Sequence, residues 1–203
     1  MSFPLATLIV TVVVIVFLVA YMRAQKPATS AQRLIQQHRY EEAVVAAAQD
    51  PLHRGEALKL LGRFEDAIVA YRQSDDPAAR EGIALSLAHL GRDLPEAKRL
   101  MEETIALHPQ IQEFQALGLA YILLKSGQRE EALRVYRDNV ELLETRFRDD
   151  YTDPDPLLAE TVWMFATLAD AAGDANAARL LRARAATWAP DSLWALWAHT
   201  AER

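Results

Sequence analysis

Four aspartates crowd one short stretch: Asp149, Asp150, Asp153 and Asp155 in "DDYTDPDPLLAE". Oxygen ligands at alternate positions are what a calcium loop needs, with a central Gly and a closing Glu about twelve residues on. This stretch has no Gly, and Pro154 and Pro156 distort the spacing, so it reads as a solvated loop that caps the next helix. His38, His53, His89, His108 and His199 are scattered without a second ligand at a useful spacing, and each reads as a surface or turn residue. The absence of Cys excludes disulfides, thiolate metal sites and a Cys nucleophile. No phosphate-binding Gly loop and no nucleophile motif occurs. The expectation is a non-catalytic chain without cofactor or metal. A net charge of −6, mixed in sign along the chain, leaves no nucleic-acid footprint.

The elements between these residues are helical in pattern. Gly, Pro and Asp mark breaks at 49–51, 75–77, Gly91, Pro109, Gly127, 153–156, Gly173 and 190–192, and no stretch alternates as an amphipathic strand would. Self-similarity follows: Gly82-Ile83-Ala84 recurs as Gly118-Leu119-Ala120, and Gly91 recurs as Gly127. Periods of this length in helical sequence mean stacked helix pairs.

"LGRFEDAIVAYRQSD", residues 61 to 75, carries the most specific pattern. From Gly55 the chain runs Leu58, Gly62, Phe64, Ala67 and Tyr71, which resembles the tetratricopeptide repeat, a helix-turn-helix of about 34 residues. Weaker matches start from Ala31 (Leu34, Tyr40, Ala43) and Ala166 (Gly173, Ala178, Ala185, Pro190), and second-helix halves surround Ala97 and Ala132. Small residues at 55 and 67 let two helices approach, and Gly62 can end the first helix in the left-handed conformation. The marker alanines 43, 67, 97, 132 and 178 are unevenly spaced, so the second unit is short and a longer helix or loop falls near 145–156.

The resemblance implies an all-α solenoid of about five degenerate helix pairs over 31–190, which binds a protein partner along a concave face lined by first helices. The polar clamp that some relatives use for a C-terminal carboxylate maps here onto Ala28 and Gln32, Leu52 and Glu56, Ala79 and Ile83, Gln115 and Leu119, Trp163 and Thr167. That clamp is absent, so a less polar partner is expected, on a face comprising Gln32, Glu56, Lys59, Ile83, Ser86, Gln115, Leu119, Trp163 and Thr167. The alternative for the uncharged stripe through Ile83, Leu119 and Trp163 is plain core.

Both ends carry further signals. Phe3 to Met22 contains no charge and is long enough to span a bilayer of about 30 Å. It lacks the basic start and small-x-small site of a signal peptide. Arg23, Lys26, Arg33 and Arg39 follow it and no basic residue precedes it, which places the C-terminal side in the cytoplasm. Residues 1–23 therefore read as a single-pass anchor in the cytoplasmic membrane, touching lipid through Phe3–Met22. Residues 24–30 read as a linker with Ser30 as a helix cap.

Residues 191–203 read as a capping helix started by Asp191, with Leu193, Leu196 and Trp197 in one stripe over the open end of the array. Trp194, on the rim of that stripe, either tucks against the last repeat or anchors a partner. The layout is similar to that of the lipopolysaccharide assembly protein B family, without its Cys-bearing metal domain. The resulting expectation is a membrane-anchored adaptor for a membrane-associated protein partner. The alternatives are a permanent accessory subunit of a larger membrane complex and a periplasm-facing assembly factor.

Overall fold

The computed structural model describes residues 29–107, 112–149 and 153–201. Among the described residues the chain forms eleven α-helices and one short 3-10 turn, with no strand. Helices α1 (Ser30–Gln36) and α2 (Tyr40–Ala46) make the first pair, α3 (Pro51–Leu60) and α4 (Phe64–Tyr71) the second. The third pair is α5 (Ala78–Leu90) and α6 (Leu94–Leu107), and the fourth is α7 (Gln112–Lys125) and α8 (Arg129–Asp149). After the 3-10 turn (Pro156–Leu158), α9 (Ala159–Ala172) and α10 (Ala175–Trp188) form the fifth, and α11 (Leu193–Ala201) follows. Each helix packs on the next within and between the first four pairs, and α9 packs on α10. The expected all-α stack of five helix pairs is what forms.

One turn chemistry recurs in every pair. His38, Gly62, Gly91, Gly127 and Gly173 follow the five first helices, all with φ between 60° and 94°. The N–H one residue later reaches back five positions: Arg39 to Leu34, Arg63 to Leu58, Arg92 to Leu87, Gln128 to Leu123, Asp174 to Ala169, at 2.9–3.1 Å. A left-handed residue with this bond satisfies the last carbonyls of a helix, and Gly adopts that conformation without a Cβ clash. The alanines at 43, 67, 97, 132 and 178 are all fully buried. Each donates its N–H to the carbonyl of the residue just before its own second helix, at 2.9–3.0 Å. The uneven spacing has three sources, the largest being α8, which at 21 residues exceeds α6 at 14 and widens the last interval. The third turn holds an extra residue, Asp93, at φ 45°, and α5 and α7, at 13 and 14 residues, are longer than α3 at 10.

Close packing explains the small residues. A Cβ on Gly55 (α3) or on Gly82 (α5) would lie 2.5 Å from a ring carbon of Tyr71. Tyr71 is therefore a wedge between two first helices, and both must be bare where its ring lies.

The described ends refine the expected boundaries. The cap of α1 is Thr29, not Ser30: its hydroxyl accepts the Gln32 N–H at 3.1 Å, and Ser30 is already helical. The Phe3–Met22 segment lies outside the described residues, and no helix among those described is long and apolar enough to cross a membrane.

The array closes on itself. The 3-10 turn packs against α1 and α3 as well as α9. Asp155 accepts the Leu157 N–H at 3.0 Å, capping that turn, and also accepts from the Gln36 amide at 3.2 Å. The entrance to the fifth pair thus meets the first and second pairs.

Helix α11 departs from the expected stripe. Leu196 is 58% exposed, whereas Trp194, Ala195 and Ala198 are buried. The inward face is centred on Trp194 because Pro190–Ser192 turns the chain, with Ser192 donating its hydroxyl to the Ala189 carbonyl at 2.6 Å. Ser192 also supplies the first helical carbonyl, to Leu196 N–H, the position expected for Asp191.

Candidate functional site

The first helices α3, α5, α7 and α9 converge on an inner space, and four polar side chains meet there. Lys59, in the last turn of α3, forms an ion pair with Glu160 in the first turn of α9. The other oxygen of Glu160 lies 2.9 Å from His89 Nε2, near the end of α5. His89 Nδ1 lies 3.1 Å from the Tyr121 hydroxyl on α7. With Nε2–H donating to the carboxylate, Nδ1 accepts from Tyr121, and both ring nitrogens are satisfied.

Burial and ion pairing together set the protonation states. It pushes the Glu160 carboxyl up, but the Lys59 charge and the hydrogen bonds from His89 and Lys59 outweigh it and hold the group down at about 2. Burial pulls Lys59 down, yet Glu160 overrides this and the ammonium is raised above its ordinary value. Burial lowers His89, against the pull of Glu160, so the imidazole stays neutral. A neutral His, a protonated Lys and a paired carboxylate make a clamp across three helices. His89 is not the surface or turn residue expected from its sequence position: its side chain is fully buried, stacked on Phe64 at 4.9 Å and packed on Trp194 at 5.0 Å.

Beside the clamp is a cavity of about 220 Å³. Glu56, Lys59, Tyr71, Glu81, Glu160 and Trp194 are among its walls. Burial pushes the Glu56 carboxyl up. Its Oε2 and the Trp194 Nε1–H have no hydrogen-bond partner within the protein.

Of the residues singled out in the sequence, Glu56, Lys59 and Trp194 come together at this cavity. Trp163 is buried nearby, with Trp197 5.6 Å from its ring and the Arg182 guanidinium 6.0 Å away. Ile83 is buried core. Ser86 is buried and donates its hydroxyl to the Gly82 carbonyl at 2.7 Å. Thr167, half-buried, does the same to Trp163 at 3.0 Å. Gln115 is buried, its Oε1 without a partner in the protein. Gln32 and Leu119 are half-buried and line no part of the cavity. Glu160 and Tyr121 were not anticipated. A Glu one turn into an otherwise apolar "LLAETVWMF" was the one visible signal.

No family model matches the chain, and no curated protein matches it. Among solved structures it is similar to nearly identical TPR-like repeats assigned to a kinesin light chain of Podosopora anserina. The identity is 17%, over 78% of this chain and 90% of that one, with a TM-score of 0.47. A single-residue variant of those repeats matches at the same identity and coverage, with a TM-score of 0.48.

Proposed function

We propose that the chain is a non-catalytic adaptor, anchored in the cytoplasmic membrane through Phe3–Met22, whose helix-pair array holds a protein partner on the cytoplasmic side. One observation carries the binding part: the inner surface receives a helix. Trp194 and Trp197 of α11 lie against Phe64, His89 and Trp163 from three different pairs. Grooves that take an apolar helix face anchor it through such large side chains. The anchor and its orientation are supported by the uncharged N-terminal run and the basic residues that follow it. Membrane fractionation with a reporter fused at Arg203, followed by crosslinking in intact membranes, tests the reading. Release of full-length protein by high salt, or an externally active reporter, would refute it.

A second reading, a permanent subunit of a larger complex, draws on the second helices. Val45, Val69, Leu107, Leu142 and Leu180 lie on α2, α4, α6, α8 and α10, each 47–77% exposed. A stoichiometric complex stable in detergent, with crosslinks from these positions, would favour it.

A further inference from the structure

The inner surface already has an occupant from its own chain, and the fit is incomplete. Trp194 is fully buried, yet its N–H has no partner in the protein. The cavity of about 220 Å³ remains beside it, with an unpaired oxygen of Glu56 in its wall. Rings dominate the contact: Phe64, His89 and Trp163 meet the two tryptophans, and Leu193 of α11 lies on the α3–α4 turn at Gly62. The occupant is a single helix of nine residues. It follows α10 after the short link Ala189–Ser192.

We infer, resting on the groove reading above, that α11 is a displaceable resident of a helix-receiving site. The incoming partner is a helix with one uncharged face carrying two large aromatic side chains three residues apart, as Trp194 and Trp197 are. Leaving the seat returns the Trp194 N–H to water and so relieves a buried, unpaired donor. Tethering adds to the ring contacts: a short link gives α11 an effective concentration in the millimolar range. A partner therefore competes only when its contacts exceed those of α11 or when α11 is loosened.

The test uses full-length protein in lipid nanodiscs and a fluorescent peptide of residues 190–201 as the incoming helix. Trp194→Ala loosens α11, and Ala198→Asp, on the same buried face, is a second loosening variant. Gly62→Cys with Leu193→Cys locks it. A Cβ at 62 would lie 3.4 Å from Leu193 Cβ, near the separation of about 3.5–4.5 Å that a disulfide takes. No native Cys competes. The expected result is peptide binding at least tenfold tighter to the loosened variants than to the parent, and none to the oxidised locked chain. The inference is overturned if loosened chains of unchanged helicity bind no peptide, or if the locked chain binds equally well. Collapse of the array in both variants would also overturn it, because α11 would then be core. So would dimers formed by exchange of α11, which would make the incoming helix a second copy's. Any of these removes the groove as the binding surface, while capture of a partner on the outer face by crosslinking in membranes would leave a membrane-anchored interaction protein that binds through its second helices.

Discussion

Lys59 at the end of α3 and Glu160 at the start of α9 are ion-paired, which ties the second helix pair directly to the fifth. Replacing one partner strands the other charge in a site where the Glu160 side chain is 5% exposed. Glu160→Leu or Lys59→Met alone is expected to lower stability by about 3–5 kcal/mol, whereas the double variant should recover most of that loss. Denaturant midpoints of the four proteins give the coupling, and additive losses would show that the pair is not a unit.

The same groups predict the response to acid. Glu160 titrates near 2 in the folded chain against an ordinary 4.5. Below pH 4.5 the unfolded state therefore binds the proton first, and stability falls until about pH 2. The contribution at neutral pH is on the order of 3 kcal/mol. His89 is lowered below its ordinary 6.5, so its share of the loss begins as pH falls through 6.5. Thermal melts between pH 8 and pH 3 should decline in these two stages, and His89→Gln should remove the earlier one.

Gly82→Ala should lower stability by about 1–3 kcal/mol through overpacking, because its Cβ would lie 2.5 Å from the buried Tyr71 ring. Gly91→Ala meets no atom within 4 Å but sits at φ +65°, so its cost should be about 1 kcal/mol, from backbone strain alone. Pairing each with Tyr71→Leu separates the mechanisms: only the Gly82 variant should be rescued, as read from melting temperatures.

Ala67→Arg places a charge at a fully buried contact and should cost on the order of 3 kcal/mol or more. Arg72→Ala, exposed and 3.9 Å from Glu96, should stay within about 0.5 kcal/mol. Equal melting temperatures for the two variants would refute the repeat register.

Trp163→Ala is expected to lower stability by about 3–5 kcal/mol, since its ring is buried beneath Trp197 and Arg182. Fluorescence should shift at the same time as Trp197 gains solvent. A variant of parental stability would mean that the ring is free to serve a partner.

What the sequence determined by itself is local. Helix breaks, the left-handed Gly that ends four of the five first helices, and the five buried alanines follow from steric rules acting within a few residues. Such rules are legible in the spacing, and Gly55, Ala67 and Tyr71 stand where that spacing puts them. Tertiary structure alone decided which first helices share an interior. His89, Tyr121 and Glu160 come from three different pairs, and only the closure of the array onto its own entrance brings them to Lys59. It also decided the direction of α11. An "LWALWA" run offers several apolar faces of similar strength, and the turn at Pro190–Ser192 with the rings of Phe64 and His89 selected the one bearing Trp194. Helical periodicity specifies that a face is apolar, but the surface it meets depends on chain segments far away in sequence.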